Sequence, residues 1–242
     1  MSEKIAYFVS DLHFGASYGK AEAGREERFH QFLKDITPKA SHLFIIGDLF
    51  EFWMEYGHFI PKNHFATLSA LGQIAQAGVE VHYLCGNHDF NLGSFFDQHL
   101  KIKTHSTSLS ITLQGKKLFL IHGDGLAKSD WKYRLARKII RHPLSNFCFK
   151  LLHPDWGMRL AFLVGKTSRD QHDYRPRLLE EYEAASRDLL KQGHDILIHG
   201  HTHAAFIKTF PEGIYINSGD WLQHTRYIEM RDGTCELREY KS

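Results

Sequence analysis

The chain has little of several features that mark common protein classes. Among its 242 residues there are only three cysteines, Cys85, Cys148 and Cys235, which lie far apart and form no Cys-x-x-Cys pair. This argues against a disulfide framework or a zinc finger and favours a reducing cytoplasm. No apolar run approaches the roughly 20 residues of a membrane-spanning helix. The short apolar stretch that ends at Asp11 comes too early for a signal peptide, so we expect a cytoplasmic protein.

The chain also lacks an excess of charge of either sign. Its 30 basic and 28 acidic residues give a formal charge of +2, so the overall charge does not indicate nucleic acid as a partner. Hydrophobic residues make up 43% and charged residues 24%, which excludes a disordered or low-complexity chain. We expect one domain over residues 1–242, large enough to bury a core.

Histidine, in contrast, is abundant, with 18 residues. It is the commonest metal ligand in proteins and the usual acid or base near neutral pH. The positions of these rings relative to the predicted strands decide whether they form a site.

Six short apolar runs predict buried strands. They cover residues 5–9, 43–46, 79–84, 118–121, 196–198 and 214–216. Residues 22–36 and 64–76 carry apolar side chains at helical spacing between them, and residues 109–113 form a predicted hairpin with 118–121. The alternation of strands and helices indicates an α/β core.

Polar side chains that can hold a metal follow each of these runs. They are Asp11 and His13, Asp48, Asn87 to Asp89, His122 and Asp124, His199 to His203, and Asn217 to Asp220. The carboxyl ends of strands are where α/β sheets hold ligands. The pattern therefore predicts one site built from several strand ends.

The spacing of the candidate ligands suggests how they meet. Asp11 and His13 are two residues apart at a strand end, as are His201 and His203, so an extended backbone would point each pair to one side. With Asp48, Asn87 and His122 they make seven candidates, whereas one tetrahedral zinc needs four. Seven mixed oxygen and nitrogen ligands suit two divalent ions, with Mn²⁺ expected and Fe²⁺, Zn²⁺ or Mg²⁺ as alternatives.

The order of these motifs resembles the calcineurin-like metallophosphoesterases. The motifs are Asp-x-His, Gly-Asp, Gly-Asn-His-Asp, His-Gly-Asp and Gly-His-Thr-His, from Asp11 to His203. The resemblance implies a four-layer α/β/β/α sandwich. It also implies one metal on Asp11, His13 and His203, another on Asn87, His122 and His201, and Asp48 as the bridge. Two such ions lower the pKa of a bridging water, so that hydroxide attacks phosphorus at neutral pH.

Other residues in the motifs are expected to assist the reaction. His88 cannot easily be a ligand beside Asn87, so we expect it to contact a phosphate oxygen or the leaving group. Asp89 is the candidate for orienting the His88 ring. We expect His199 and Asp124 to orient the metal ligands without binding the metals themselves.

A narrower resemblance connects the chain to the UDP-2,3-diacylglucosamine diphosphatases of lipid A biosynthesis. It rests on residues 47–53 (Gly-Asp-Leu-Phe-Glu-Phe-Trp), on 122–126 with Tyr133 after them, on 217–221 (Asn-Ser-Gly-Asp-Trp), and on the long interval from His122 to His201. It implies cleavage of a lipid-linked nucleotide sugar to UMP and 2,3-diacylglucosamine 1-phosphate, at the inner face of the cytoplasmic membrane. His88 departs from the pattern, because better-known members have arginine there.

Residues 126–180 form the predicted helical insertion, or lid. They hold twelve Lys or Arg and five Asp or Glu, while the rest of the chain holds 18 and 23. Trp131, Leu135 and Ile139 recur every four residues among basic side chains, which predicts a basic amphipathic helix suited to an anionic lipid. The alternative is that these apolar residues pack the insertion on itself. Candidate substrate contacts are Asn87, His88, Lys128, Tyr133, Lys166 and Arg169, and Arg177 is a further candidate.

Two other functions remain open at this point. One is a phosphodiesterase of the same superfamily that acts on a nucleotide, a protein or a nucleic acid. The other is a scaffold that keeps the fold without turnover, although all seven ligand types are intact. The sequence does not fix the oligomeric state.

Overall fold

A computed structural model describes residues 4–16, 21–169 and 176–241 of the chain. Within these ranges the chain forms eleven strands and seven α-helices, arranged around two sheets.

The first sheet has six strands in the order β11-β10-β1-β2-β3-β4. The four strands β1 to β4 run parallel, whereas β10 and β11 pair antiparallel at one edge. Their bounds are β1 Ile5–Val9, β2 Ala40–Ile46, β3 Glu80–Leu84, β4 Lys103–His105, β10 Arg226–Arg231 and β11 Thr234–Glu239. Helices α1 (Ala21–Ile36), α2 (Phe65–Gln76) and α3 (Phe95–Leu100) belong to this half of the chain.

The second sheet has five strands in the order β5-β6-β7-β9-β8. Strands β6, β7 and β9 are parallel, and β5 and β8 add antiparallel edges. Their bounds are β5 Ser108–Leu113, β6 Lys116–Ile121, β7 Ile196–His199, β8 Phe206–Phe210 and β9 Gly213–Asn217. The predicted hairpin is confirmed as β5 and β6.

Apolar side chains fill the space on each side of both sheets. Phe8, Phe44 and Ile216 belong to the layer between the sheets. Helices α1 and α2 cover the outer face of the first sheet with residues such as Phe32 and Leu71. Helix α7 (Pro176–Leu190) packs on β7 and β9. The prediction of a four-layer α/β/β/α sandwich is therefore confirmed.

The six apolar runs are confirmed as the central parallel strands β1, β2, β3, β6, β7 and β9. Residues on both faces of β1, β3, β7 and the second half of β2 are buried, which is why these strands read as continuous apolar segments. Strands β4, β8, β10 and β11 were missed. In β11 partly buried and exposed residues alternate, so it carries apolar residues on one face only and gives a weak signal.

Three further helices lie between β6 and α7, in the segment predicted as an insertion. They are α4 (Trp131–Ile140), α5 (Pro143–Lys150) and α6 (Pro154–Arg169), here called the insertion helices. Trp131, Leu135 and Ile139 are 58%, 55% and 61% exposed, so these apolar side chains do not pack the insertion on itself. No helix in the described ranges is long and apolar enough to cross a membrane.

Candidate metal centre

The loops after β1, β2, β3, β6 and β7 meet at one end of the sandwich. The backbone N–H groups of Leu12 and His13 donate to the carbonyl of Asp48, at 2.8 and 2.9 Å. The N–H of His201 donates to the carboxylate of Asp11 at 2.9 Å, which ties the second sheet to the first. Polar residues far apart in the sequence therefore share one small volume, as the strand-end pattern predicted.

The backbone at this end is not extended, and our expectation for the two paired motifs is wrong on this point. Asp11 and His13 have φ values of 54° and 49°, and His201 and His203 have 65° and 57°. Asp48 has a φ of 52°. Left-handed backbone is uncommon outside glycine, although Asp and His adopt it more readily than most. The side chains converge because the chain turns sharply at each of them.

Two glycines make this crowding possible. A β-carbon on Gly47, which has a φ of +76°, would lie 2.5 Å from Nδ1 of His122. A β-carbon on Gly86 would collide with the Asp48 side chain. Any larger residue at either position would displace a candidate ligand.

The first ligand group consists of Asp11, His13 and His203, whose ligand atoms all lie within 4.8 Å of one another. Oδ1 of Asp11 lies 3.4 Å from Nε2 of His203 and 3.9 Å from Nε2 of His13. Asp11 and His13 are buried, whereas the side chain of His203 is 38% exposed. This group has the spacing of ligands around one cation.

The second ligand group consists of Asp48, His122 and His201, again with ligand atoms within 4.8 Å. Nε2 of His122 lies 3.3 Å from Oδ2 of Asp48 and 3.0 Å from Oδ1 of Asn87. Oδ2 of Asp48 also lies 3.7 Å from Nε2 of His13 in the first group. Asp48 is thus the carboxylate that reaches both groups.

Buried polar atoms without partners test whether these residues suit metal ions. Among the described residues, Oδ1 of Asp11 and both ring nitrogens of His13 are buried and have no hydrogen-bond partner. A buried polar group left in this way costs free energy, and cations between the groups would remove that cost. The donor set of carboxylates, imidazoles and one amide also suits divalent ions, so the residues fit the metals that the motifs imply.

Carboxylates and histidines in the cluster shift one another's pKa values in the direction that favours their charged forms. Burial by itself would lower the pKa of His122, but the carboxylates of Asp48 and Asp11 raise it well above its usual value. Burial would likewise raise the pKa of Asp48, but the surrounding histidines lower it. Burial lowers the pKa of His201 to about 3, so this ring is neutral and can act as a ligand. Metal binding needs deprotonated ligands, and these buried carboxylates supply the negative charge.

Backbone carbonyls fix the orientation of several rings. Nδ1 of His122 donates to the carbonyl of Ile46 at 2.9 Å, which turns Nε2 toward Asp48 and Asn87. Nδ1 of His199 donates to the carbonyl of Gly200 at 2.7 Å, and its Nε2 contacts the hydroxyl of Tyr215. His199 is fully buried, and burial lowers its pKa to about 4, so it lies behind the site as a neutral ring.

Asp89 has a different role from the one we expected. Its carboxylate accepts hydrogen bonds from the backbone N–H groups of Leu49 and Gly86, both at 2.8 Å, and from the hydroxyl of Tyr83. It makes no contact with the described His88 ring, so the prediction that it orients this ring is wrong. A fully buried carboxylate needs several donors, and Asp89 obtains them by joining the loops after β2 and β3.

Asp124 connects the cluster to helix α4. Its Oδ2 accepts hydrogen bonds from the hydroxyl of Tyr133 and from Nη1 of Arg137, both at 2.8 Å. Arg141 lies 3.3 Å from the same oxygen and donates to the carbonyl of Gly86 at 2.9 Å. Tyr133 and Arg137 on one face of α4, together with Arg141 just after its last residue, therefore bind the helix to the site, while its apolar face is exposed.

Two of the remaining candidate substrate contacts, Lys128 and Tyr133, lie at the start of α4. Lys128 is exposed just before α4, and its carbonyl accepts a hydrogen bond from Arg134 at 3.0 Å. The ring of Tyr133 lies 6.4 Å from that of His201. The side chains of Lys166, Arg169 and Arg177 lie outside the described residues.

Three supporting residues were missed in the sequence. Glu51 lies beside the rings of His13 and His88, and Arg141 reaches both Asp124 and Gly86. Ser10 donates to the carboxylate of Asp11 at 2.5 Å. Glu51 follows Asp48 by three residues, and this short spacing was the feature of the sequence that could have placed Glu51 at the site.

Comparison with known proteins agrees with this geometry. A UDP-2,3-diacylglucosamine hydrolase of Porphyromonas gingivalis is 28% identical over an alignment of 258 positions, which covers 99% of this chain and 98% of that protein. Another, from Nitrosococcus oceani, is 32% identical over 222 residues, or 89% of this chain and 86% of that protein. Among solved structures, an archaeal phosphodiesterase superposes with a TM-score of 0.50 at 12% identity, covering 98% of this chain and 99% of the other, which supports the fold alone.

The family assignment follows from a match over most of the chain. The sequence profile of the calcineurin-like phosphoesterases matches residues 6–205, a range that includes all seven candidate ligands. The resemblance seen in the motifs is thereby confirmed: the chain belongs to the calcineurin-like phosphoesterase family and is a metal-dependent hydrolase.

Proposed function

We propose that the chain hydrolyses the pyrophosphate of UDP-2,3-diacylglucosamine, with release of UMP and 2,3-diacylglucosamine 1-phosphate. The observation that carries the proposal is the similarity to proteins named UDP-2,3-diacylglucosamine hydrolase over nearly the full length of both chains. A phosphoesterase fold alone would not select this substrate, because one fold hosts many activities.

Seven side chains are the proposed ligands of two divalent cations. The sets are Asp11, His13 and His203 for one ion, Asn87, His122 and His201 for the other, and Asp48 for both. The two ligand groups and the partnerless atoms of Asp11 and His13 support this assignment. Mn²⁺ is the proposed ion, because the ligands mix oxygen and imidazole nitrogen and include no thiolate. When bound, the cations would activate water and neutralise charge on the phosphate.

His88 is the proposed acid and phosphate contact. Its backbone N–H donates to Oδ1 of Asp48 at 2.9 Å, so the residue is held against the proposed bridging ligand. Its Nδ1 donates to the carbonyl of Glu51 at 2.9 Å, which leaves Nε2 for the substrate. In its protonated form His88 donates from Nε2 to a phosphate oxygen or to the oxygen that leaves phosphorus.

The insertion helices are the proposed lid over the acyl chains. Seven of their apolar side chains are each more than half exposed: Trp131, Leu135, Ile139, Leu144, Phe147, Trp156 and Leu163. Exposed apolar surface of this extent is typical of a site for an apolar ligand or a membrane. The contacts of Tyr133 with Asp124 and of Arg141, just after α4, with Gly86 keep this surface beside the proposed metal ligands.

Basic side chains accompany the apolar ones and suit an anionic lipid. Lys132, Lys138, Lys150 and Arg159 are all exposed on the insertion helices. We therefore propose that the chain docks on the cytoplasmic face of the inner membrane, where a polybasic apolar surface binds anionic headgroups. Lys128 and Tyr133, at the start of α4, are the proposed contacts for the pyrophosphate end of the substrate.

One residue favours a second candidate function. His88 stands where the better-known diphosphatases of this resemblance carry arginine, and histidine there is the general pattern of the superfamily. The second candidate is therefore a phosphodiesterase that acts on a smaller, non-lipid ester at the same site.

Incubation with UDP-2,3-diacylglucosamine and Mn²⁺ tests the proposed reaction. We expect mass spectrometry to detect UMP and 2,3-diacylglucosamine 1-phosphate, and Asp48→Ala to abolish both because neither cation keeps its shared ligand. Asp97→Ala, on the exposed side of α3, is the control and should retain activity. If a small phosphodiester is hydrolysed while the acylated nucleotide is untouched, the second candidate replaces the first.

Removal of the His88 ring tests its role as an acid rather than a ligand. We expect His88→Ala to retain two metal ions per chain but to lose roughly 10²- to 10⁴-fold in kcat, the usual contribution of a positioned acid. Metal content is measured by inductively coupled plasma mass spectrometry and kcat by UMP release. His99→Ala, an exposed histidine on α3, is the control. A loss of one metal ion from His88→Ala would make His88 a ligand instead.

Replacement of the exposed face of α4 tests the proposed lid. We expect the combined variant Trp131→Ser, Leu135→Ser and Ile139→Ser to raise KM for the acylated nucleotide at least about tenfold, because each fully buried apolar side chain contributes ~1.5–3 kcal/mol. Hydrolysis of a small artificial diester should change little. Ile207→Ser removes an exposed apolar side chain from β8 and serves as the control. Equal losses on both substrates would argue against a lid that binds acyl chains.

A further inference from the structure

The polar residues that follow β9 lie beside the candidate metal centre but outside its ligand groups. The sequence marked Asn217, Ser218 and Asp220 as side chains able to hold a metal, yet the described ligand groups contain none of them. All three are buried, with exposed fractions of 0%, 1% and 3%. Buried polar groups cost free energy unless they have partners, so their hydrogen bonds indicate their role. We call residues 217–221 the β9 segment.

Asn217 holds the loop after β7, which carries two of the proposed ligands, His201 and His203. Its Nδ2 donates to the carbonyl of Gly200 at 3.2 Å and to Oγ1 of Thr202 at 2.6 Å. Its amide oxygen accepts from a backbone N–H of the β9 segment at 2.9 Å, which fixes the amide atom that faces the loop. The two donated bonds lie on either side of His201, where the backbone is left-handed. Asn217 therefore fixes the turn from which both rings project.

Ser218 reaches the loop after β1 through Ser10. Oγ of Ser218 lies 2.6 Å from Oγ of Ser10, which donates to Oδ2 of Asp11 at 2.5 Å. Since the single hydroxyl proton of Ser10 goes to the carboxylate, Ser218 is the donor in the bond between the two serines. The other oxygen of Asp11, Oδ1, is buried and has no hydrogen-bond partner among the described residues. The two hydroxyls therefore hold Asp11 so that Oδ1 is left for the proposed ion.

The backbone of the β9 segment contacts both loops as well. The N–H of Trp221 donates to the carbonyl of Asp11 at 3.3 Å, in the loop after β1. Gly219 has a φ of +75°, and a β-carbon there would lie 2.7 Å from that of Ala205. Glycine at this position lets the segment pack closely against the chain just after His203. The β9 segment thus joins the two loops by backbone and side-chain contacts.

We infer that Asn217 and Ser218 are positioning residues that hold together the two loops of the first ligand group. That group takes Asp11 and His13 from the loop after β1 and His203 from the loop after β7. The inference rests on the proposed assignment of these three side chains to one cation. Removal of a hydrogen-bond partner behind a metal ligand usually weakens metal binding. The rival interpretation is that the β9 segment only stabilises the fold.

Ser218→Ala tests the connection to the loop after β1, because it removes one hydroxyl group. We expect the ion of the first ligand group to bind about 10- to 100-fold more weakly, the usual effect of losing such a partner. The second ion should keep its affinity, because Asp48, Asn87 and His122 lie on other loops. Calorimetric titration of the metal-free protein with Mn²⁺ measures both affinities, and anomalous diffraction at limiting Mn²⁺ shows which ion is lost. Ser69→Ala, at an exposed position on α2, is the control.

Asn217→Asp tests the connection to the loop after β7, since it keeps the shape of the side chain and removes both donated hydrogen bonds. This loop carries one proposed ligand of each ion, His201 and His203, so we expect both ions to bind about 10- to 100-fold more weakly. The added carboxylate would by its charge alone strengthen cation binding, so a loss of affinity reports the missing hydrogen bonds. Asn63→Asp, at an exposed position before α2, is the matched control.

Two results would overturn the inference. One is native affinity for both ions in Ser218→Ala and Asn217→Asp. The other is an equal loss of both ions in Ser218→Ala with a lower melting temperature of the metal-free protein, which would show a role in folding alone. If the native protein binds a single Mn²⁺, the two-ion proposal fails. The inference then stands if Ser218→Ala weakens an ion beside Asp11, and it falls if the ion lies elsewhere. These measurements need no substrate, so they hold whichever ester the protein cleaves.

Discussion

The burial of the Asp48 carboxylate is the constraint on which the rest of the site depends. Its two oxygens contact a ring nitrogen of His122 at 3.3 Å, a ring nitrogen of His13 at 3.7 Å and the backbone N–H of His88 at 2.9 Å. A charge buried without compensation is among the most costly features a protein can carry. The loops around Asp48 contain residues with left-handed backbone and a close approach at Gly86 that only glycine allows. These strained features bring the ring nitrogens and the backbone N–H that compensate its charge. The two proposed cations would complete that compensation.

Much of this arrangement could be predicted from the sequence, because the central strands are apolar runs and each is followed directly by polar residues. Asp11, Asp48 and His122 each follow such a strand, and the structure brings them together. The left-handed turns at Asp11 and His13 could not be predicted, since hydrogen bonds with the distant loops after β2 and β9 hold the backbone there. Asp89 was misassigned for a related reason. Adjacency in sequence suggested His88 as its partner, whereas its carboxylate accepts hydrogen bonds from the backbone N–H groups of Asp48, Leu49 and Gly86 and from the hydroxyl of Tyr83.

The division of charge along the chain has a counterpart in the structure. The basic excess lies in residues 126–180, and the insertion helices within this range carry exposed apolar side chains among lysines and arginines. Tyr133, Arg137 and Arg141 turn the other way and meet Asp124, which follows His122 by two residues. One face of α4 thus contacts Asp124, beside the candidate metal ligands, and the other face presents apolar surface. This coupling is what a substrate with a phosphate end and an acyl end would require.

Asp48 is proposed to join two cations held by the two ligand groups. Anomalous diffraction from crystals of the Mn²⁺-loaded protein tests it most directly. We expect two manganese peaks roughly 3.5–4 Å apart, one beside Asp11 and His203 and one beside His122 and His201, with Asp48 in contact with both. A single peak at saturating Mn²⁺, or two peaks of which only one contacts Asp48, would contradict the claim.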